Sequence, residues 1–450
     1  MITLNNTEEL TVDVVKKIVE DHYGKELPRL LKLERYYKND NDIHRRVMTD
    51  TSKPNNRTAN PYASYITDTL TGYFMGEPVS YNAEDKDMLE ELNMIFEYND
   101  EADENAELAK DASIYGVAFE ELYFSEDDKN VRFCRLDPKE VIPIYDKSIE
   151  KNLIAVIRYY NDYNFLEDKK SFVVEVIDNI ETVRYRANEN FSNFQLIENY
   201  PHYFGMVPVA TYENNEDRMG DFEKVLDLID AYDKMESDSL NDFEYFVDAY
   251  LALYGFTADA EDIQQMKKNR VLLMDEGTSA EWLIKSENDA TTENMKNRLD
   301  KDIHKFAKCP NLTDEEFASN ASGVAIKFKL LGTENLVSIK ERKFKKGLQE
   351  RLELISTING LVRNGFDWRA IDIIFTRNIP SNDVEMANMV NTLSGIVSNE
   401  TLLAQIPFVE DVESEVQRVK DQHNEEKLDN PFYAPGVSYR TRAQEKDEVE

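Results

Sequence analysis

Apolar side chains recur every three or four residues through the first hundred or so residues, which predicts a helical N-terminal region. The pattern occupies three parts of this region. They are 11–38, with Val15, Ile18 and Val19 and then Leu30, Leu31 and Leu33 after Pro28; 54–78, with Tyr62, Ile66, Leu70 and Tyr73; and 84–116, with two acidic amphipathic segments. Turn residues separate these parts, so we expect several helices.

Near residue 117 the pattern changes to short runs that are rich in β-branched and aromatic residues. The runs are VRFCRL, LIAVIRYY, SFVVEVI, ETVRYRA and NFQLIE, and clusters of Asp, Asn, Pro or Lys divide them. Such runs predict strands, here an antiparallel meander that ends near VPVATYEN. The first 215 residues are therefore predicted to form an α+β domain.

The rest of the chain returns to helical spacing. A long helix predicted over 221–255 carries a narrow apolar stripe among acidic residues, which favours a bundle, a coiled coil or a ring of subunits. A small α/β insertion is predicted next at 257–288, with the helix ADAEDIQQMKKN and the strands RVLLM and AEWLIK. It is followed by a helix over 289–308, the polar stretch NLTDEEFASNASG at 311–323, and a helix to about residue 360. The chain is then predicted to form a strand WRAIDIIFTRN, two or three acidic helices from Asn382, and a disordered tail.

Composition limits the possible functions. The 450 residues include 89 acidic and 53 basic side chains, a net charge of -36, which argues against a broad nucleic-acid-binding surface but allows a local basic patch. Cys134 and Cys309 are too few for a zinc cluster, and we expect two buried or half-buried thiols. The sequence has neither a signal-peptide pattern nor an apolar run of about 18 residues, so we expect a cytoplasmic protein without membrane contact.

Motifs for catalysis are absent from the sequence. It has no GxxxxGK[ST], GxGxxG, HExxH or GxSxG pattern, and its five histidines are scattered. Close acidic pairs arise by chance among so many carboxylates. We therefore predict no catalytic residue, no metal site and no cofactor.

One segment of the acidic chain is basic. Between Ser322 and Arg351, three acidic residues accompany eight basic ones: Lys327, Lys329, Lys340, Arg342, Lys343, Lys345, Lys346 and Arg351. Arg342, Lys345, Lys346 and Gln349 are predicted to share a helical face. The segment is either a solvated helix face or a surface that contacts phosphates.

Several stretches together resemble a known family. They are YYKNDNDI (36–43), PNNRTANPYASYITDTLTGYFMGEPVSY (54–81), LDPKEVIPIYD (136–146), PNLTDEEFASNASGVAIKFKLLG (310–332) and FTRNIPSNDVEMANMVNTLSGIVSNETLL (375–403). In this order, they resemble the portal proteins of tailed bacteriophages, in the branch from long-tailed phages of Gram-positive hosts. The resemblance implies a ring of about twelve copies at one capsid vertex, through which double-stranded DNA is packaged and ejected.

The resemblance also implies a mostly helical multidomain α+β fold. Its parts would be a wing (1–220), a first stem helix (221–256), a clip (257–288), a second stem helix (289–309), a tunnel loop (310–323), a long helix with a returning wing strand (324–381), crown helices (382–430) and a disordered tail (431–450). The expected partners are terminase, major capsid and scaffold proteins, and a head-completion adaptor. The location would be the virion, with assembly in the host cytoplasm.

Candidate site residues follow from the same resemblance. The tunnel loop would present Ser319, Asn320, Ala321, Ser322 and Gly323 to DNA, although a plain helix–helix turn also fits these residues. Basic residues that could face DNA are Lys327, Lys329, Arg342, Lys345 and Lys346. Lys267 and Trp282 are candidates for terminase contact by location alone. The alternatives for the whole protein are a capsid-interior scaffold without a pore, and an enzyme whose catalytic centre the motifs do not show.

Overall fold

A computed structural model describes most of the chain. The described residues are 1–50, 53–125, 129–164, 169–247, 250–254, 261, 264, 279–283, 289–312, 323–362, 365–378, 383–403, 406, 409 and 412–429. They divide into two units, Met1–Asn378 and Ile379–Glu450, and each unit is described by itself.

The N-terminal part of the first unit is helical, as the apolar spacing predicts. Its α-helices are α1 (Val12–Asp21), α2 (Leu27–Tyr37), α3 (Tyr62–Met75), α4 (Lys86–Tyr98) and α5 (Glu101–Tyr115). A π-helical turn, His22–Glu26, joins α1 to α2 and places Pro28 in the first turn of α2, where its missing N–H is tolerated. Of the three predicted leucines in α2, Leu30 and Leu33 are buried but Leu31 is 42% exposed.

The strands of the first unit form two main sheets rather than one meander. Its first ten strands are β1 (Ile2–Thr3), β2 (Ser80–Asn82), β3 (Val117–Ser125), β4 (Asn130–Leu136), β5 (Val141–Tyr145), β6 (Leu153–Asn164), β7 (Lys169–Ile177), β8 (Glu181–Ala187), β9 (Phe194–Pro201) and β10 (Val209–Glu213). One sheet has the order β1-β5-β6-β7-β8-β9, and the other has the order β10-β3-β4.

Strand β10 shows why the single meander was the wrong prediction. It pairs antiparallel with β3 instead of with β9, and its residues Val209, Ala210, Thr211 and Tyr212 are all buried. Burial on both faces needs a second layer, which the long helix Gly323–Val362 supplies in this fold. A run of apolar residues indicates a strand, but it does not identify the partner strand.

Helix α6 (Leu226–Val247) is shorter than the predicted helix over 221–255. Residues Tyr250–Tyr254 form strand β11, which pairs antiparallel with β12 (Ser279–Leu283). The sequence YLALY is rich in residues that favour strands, and pairing with a distant segment overrides the continued helical spacing. Strand β12 confirms part of the predicted AEWLIK strand, whereas the predicted helix ADAEDIQQMKKN and strand RVLLM fall almost entirely outside the described residues.

The next two helices have the predicted positions. Helix α7 (Asp289–Ala307) packs against α6, and α8 (Gly323–Val362) packs against β10. Of the predicted strand WRAIDIIFTRN, only β13 (Asp372–Ile374) forms a ladder, with β2, while Trp368–Ala370 form a 3₁₀ turn.

In the second unit the described helices are α9 (Asp383–Leu393), α10 (Asn399–Leu403) and α11 (Val412–Asp429). They confirm the prediction of two or three helices after Asn382. The tail predicted to be disordered, from residue 431, lies outside the described residues.

Buried apolar residues of the first unit form separate clusters that share helices. One cluster joins α8 to the three-stranded sheet through side chains such as Val337, Phe344 and Leu348. A second joins α2, α3, α6 and α7, and a third lies between α1 and the six-stranded sheet. This arrangement confirms the predicted, mainly helical α+β fold, and it fixes α8 between the sheet and the helices that precede it.

Candidate functional site

The candidate site is the junction between α7 and α8, together with the contacts that hold these helices. On the inner face of α8, Arg351 is fully buried and donates two hydrogen bonds to Glu120 on β3, each 2.7 Å long. A third bond of 3.2 Å reaches Glu101, and Tyr212 donates to Glu120 at 2.8 Å. Burial alone would lower the pKa of Arg351, but the Glu120 carboxylate raises it above its ordinary value. The guanidinium therefore holds α8 against β3 and α5.

Lys340 makes a second buried contact, about three helical turns before Arg351 on the same side of α8. Its ammonium group bonds the carboxylate of Asp221, and both side chains are almost completely buried. Ser113 and Asn214 complete the bonding of that carboxylate at 2.5 and 2.9 Å. Together with Arg351, this pair fixes the rotation of α8 about its own axis, because both residues must point inward.

The chain leaves α7 through a tightly bonded turn. Lys308 has a left-handed backbone with φ of 54°, which ends the helix, and its carbonyl accepts a 2.8 Å bond from Thr333 on α8. The Tyr65 hydroxyl on α3 donates to the carbonyl of Pro310 at 3.1 Å and accepts from the amide of Leu312 at 3.0 Å. Tyr65 thus bonds the chain on both sides of Asn311, at the start of the polar stretch.

A surface pocket of about 260 Å³ lies beside this turn. Its walls include Tyr62, Tyr65, His304 and Asn311, and the Nδ1 atom of His304 is 3.3 Å from the carbonyl oxygen of Cys309. Cys309 is buried, and burial raises the pKa of its thiol to about 12, so the thiol stays protonated. Cys134, in contrast, is exposed, which corrects the expectation that both thiols are at least half buried.

An extended segment fixes α6, the helix that packs on α7. In the segment 56–60, the backbone amides of Asn56, Thr58 and Asn60 donate to side chains of α6. Their acceptors are Asn241 at 2.7 Å, Ser237 at 2.9 Å and Asp233 at 2.8 Å, respectively. Two residues of an extended segment advance the chain by about 6.6 Å, and four residues of a helix advance it by about 6 Å. Every second backbone amide of 56–60 therefore lies opposite every fourth side chain of α6.

Comparisons with known proteins identify the family of this chain. Residues 16–428 match the family model described as "Phage portal protein, SPP1 Gp6-like". The chain belongs to this family of phage portal proteins.

Individual relatives agree with the family match. The chain is similar to a portal protein of Bacillus phage SPP1, with 24% identity over 92% of this chain and 86% of the relative. It is also similar to a portal protein of Clostridium phage phiCD119, with 26% identity over 85% of this chain and 90% of the relative. A solved structure titled "Neck of empty GTA particle computed with C6 symmetry" aligns with a TM-score of 0.49 and 11% identity, covering 78% of this chain and 91% of that chain.

The predicted tunnel-loop residues of this portal-family chain lie mostly outside the described residues. Ser319, Asn320, Ala321 and Ser322 belong to that part, and Gly323 is the first residue of α8. Of the two candidates for terminase contact, Lys267 also lies outside, while Trp282 pairs with Leu251 in the β11–β12 ladder. Their roles therefore stay predictions.

The structure separates the predicted basic residues into two groups. Lys327, Lys329, Arg342 and Lys346 are exposed, and Lys345 donates a 3.2 Å bond to the carbonyl of Ile373. Three further members of the basic run, Lys340, Lys343 and Arg351, form ion pairs within the subunit. The net charge of the segment therefore overstates the charge that it presents to a partner.

Sequence reasoning missed the residues that hold the junction. Tyr65, Thr333 and the amides of 56–60 carry no chemical motif. Tyr65 and 56–60 fall within the quoted stretch 54–81, and Thr333 directly follows the quoted stretch 310–332. A possible signal for the buried role of Arg351 was its place among apolar residues in the sequence LQERLELI.

Among the described residues, no group of three or more His, Cys, Asp or Glu side chains is arranged to hold a metal ion. None of the helices in this part of the chain has the length and apolar character needed to cross a membrane.

Proposed function

We propose that this chain assembles into a ring of about twelve copies at one capsid vertex, and that the ring is a channel for double-stranded DNA during packaging and ejection. The observation that carries the proposal is the match to the portal family over residues 16–428. Portal proteins are structural components of the phage virion, so membership also supports a role without catalysis.

The order of the described elements is compatible with the parts of a portal subunit. Under this proposal, residues 1–220 are the wing, α6 and α7 are the stem, and 257–288 are the clip. The pairing of β11 with β12 supports this division, because it joins the chain just before residue 257 to residues 279–283 of the proposed clip, beyond the end of α6. The crown would comprise residues 382–430 and the tunnel loop 310–323.

The contacts at the α7–α8 junction support a tunnel loop that is held at its base. Tyr65 and Thr333 fix residues 308–312. On the other side, the first described side chains of α8 are largely exposed, including Lys327 and Phe328. A firmly held base lets each subunit present the loop to passing DNA at a constant depth, while small side chains such as Ser319 and Asn320 avoid reading its sequence.

Channel electrostatics follow from the acidic excess of the chain. Acidic side chains facing the axis would repel phosphates and let the duplex slide, and a few basic groups would keep it centred. Several acids of α6 are used inside the subunit, because Asp230 accepts from Tyr36, Asp233 from Asn60 and Asp238 from Arg46. The proposed repulsion therefore rests on exposed α6 acids such as Asp242 and Glu244.

The proposed partners act in sequence on the same ring. Terminase would drive DNA inward during packaging, and a head-completion adaptor would take its place afterwards, with Lys267 and Trp282 as candidate contact positions. Major capsid and scaffold proteins would surround the ring during assembly in the host cytoplasm. The portal itself would hydrolyse nothing, because the force comes from the terminase motor.

Electron microscopy of the purified chain tests the ring directly. We expect discrete rings with a central hole, whereas a strict monomer at high concentration, or large assemblies without a hole, would contradict the proposal.

Packaging of DNA into proheads with terminase tests the loop. Replacing Asn320 and Ser322 with tryptophan should preserve rings and reduce packaging, and unchanged packaging would remove the loop from the constriction.

A further inference from the structure

The outer face of α8 combines apolar and basic side chains over five helical turns. Phe328, Leu331 and Ile339 are 73%, 52% and 41% exposed, and the exposed Arg342 and Lys346 continue the same line at intervals of three or four residues. We call these five residues the α8 stripe. From Phe328 to Lys346 it extends about 27 Å at 1.5 Å per residue.

The α8 stripe is separate from the face that packs in the subunit. On the opposite side of the helix, Leu330, Val337, Phe344 and Leu348 are all buried. The core of the subunit therefore does not need the stripe. Three large apolar side chains in one exposed line are unusual for a surface that remains in water.

The two cations of the stripe make no direct contact with a carboxylate of the described residues, although Lys346 lies near Glu216 and Glu350 and its charge favours the ionised form of both. Arg342 uses its Nε atom for a 3.0 Å bond to the carbonyl of Ser338 in its own helix, and neither Arg342 nor Lys346 forms an ion pair with a described residue. Lys340 and Lys343, which are close in sequence, both have carboxylate partners. Arg342 and Lys346 are therefore exposed and can meet carboxylates of another chain, whereas Lys340 and Lys343 are already paired.

The apolar residues that share the stripe with the exposed cations argue against DNA as the partner. A phosphate backbone is bound by charged and hydrogen-bonding groups. Phe328, Leu331 and Ile339 offer no such groups, and they would displace water from the phosphates without replacing its hydrogen bonds. A protein surface that is both apolar and acidic satisfies both parts of the stripe.

The chain itself offers surfaces of that composition. The exposed side of α4 carries Asp87, Glu90 and Glu97 together with Met94, which is 57% exposed. These three carboxylates form no ion pair with any residue that the structure describes. With a net charge of -36, a second copy presents mainly acidic surface to a cationic stripe.

We propose that the α8 stripe is a contact surface between copies, covered by an acidic and partly apolar surface of a second copy of this chain. The inference rests on the proposed ring, because a ring needs two different surfaces of each subunit to meet. It assigns Arg342 and Lys346 to the contact between subunits rather than to DNA. The apolar residues exclude water there, and the cations set the register.

Charge reversal tests the assignment without touching the core. The variant R342E/K346E should need at least about tenfold more protein to form rings than wild type. The control K17E/K224E makes the same change in net charge at two exposed lysines outside the stripe and should assemble as wild type does.

The variant F328S/L331S/I339S keeps both cations and should also weaken assembly. Circular dichroism should show that all three variants fold, because every replaced side chain is exposed.

The possible outcomes separate the inference from the proposed function. If R342E/K346E forms rings at the wild-type concentration but packages less DNA, the stripe faces DNA and the inference is wrong, while the portal function stands. If the apolar variant assembles normally, the stripe is not a subunit contact. A wild-type chain that forms no rings would overturn both proposals.

Discussion

The two faces of α8 use the same residue types for different purposes. On the inner face, Lys340 and Arg351 are buried and paired with carboxylates of other elements. On the outer face, Arg342 and Lys346 are exposed and have no such partner among the described residues. The comparison shows that the position of a cation around a helix decides whether it supports the fold or is available to a partner.

Removing the most deeply buried cation should give the largest effect. Arg351→Met leaves Glu120 and Glu101 buried without a positive charge, which should lower the free energy of unfolding by about 3–5 kcal/mol. Urea unfolding of the purified chain measures this change. The matched variant Arg342→Met, on the outer face, should change it by no more than about 0.5 kcal/mol. Equal losses for the two variants would contradict the division between the faces.

A double variant sharpens the comparison by removing the carboxylate as well. In Glu120→Gln/Arg351→Met the buried charge on Glu120 disappears, so about 1–3 kcal/mol of the loss should be recovered relative to Arg351→Met alone. Recovery should stay partial, because the Glu101 carboxyl still lacks the bond that Arg351 donates. Strictly additive losses in the same urea experiment would mean that Arg351 and Glu120 do not act as a pair.

Two glycines of α8 test the two faces by the addition of a methyl group instead of by a change of charge. A Cβ atom at Gly347 would lie 2.5 Å from the Tyr212 ring, so Gly347→Ala should destabilise the chain by about 1–3 kcal/mol. Gly332 has nothing within 4 Å of that position, and Gly332→Ala should stabilise the helix by about 0.5–1 kcal/mol. Thermal unfolding should therefore shift in opposite directions for the two variants.

A small loss of stability is expected at the loop base. Tyr65→Phe removes both bonds of the hydroxyl to Pro310 and Leu312, at a cost of about 1 kcal/mol. Hydrogen exchange at the Leu312 amide should become about fivefold faster, and DNA packaging should fall while rings still form. The control Tyr37→Phe loses only a surface bond to Asp68 and should change neither property. Unchanged exchange in Tyr65→Phe would show that this hydroxyl does not hold the loop.

Much of the secondary structure could be predicted from local patterns. The helices before residue 116, α7 and α8 all follow from apolar spacing, because each buries one continuous face within its own length. The resemblance of the quoted stretches was sufficient to predict the portal family, which the match over residues 16–428 confirms.

Three features could not be predicted locally, since each depends on a partner distant in sequence. Strand β10 joins β3 rather than β9, the end of the predicted long helix becomes β11 by pairing with β12, and the amides of 56–60 bond α6 about 180 residues later. Apolar patterning gives the buried face of an element but does not give the surface that covers it.

The sequence by itself determined the helical and strand-rich regions, the acidic excess and the family. Only the tertiary structure decided the fate of each cation in the basic run, since Arg351 and Arg342 differ only by which side of α8 meets β3 and α5. The physical reason is that a buried charge is stable only where carboxylates from other elements converge on it, and that convergence exists only in the folded chain.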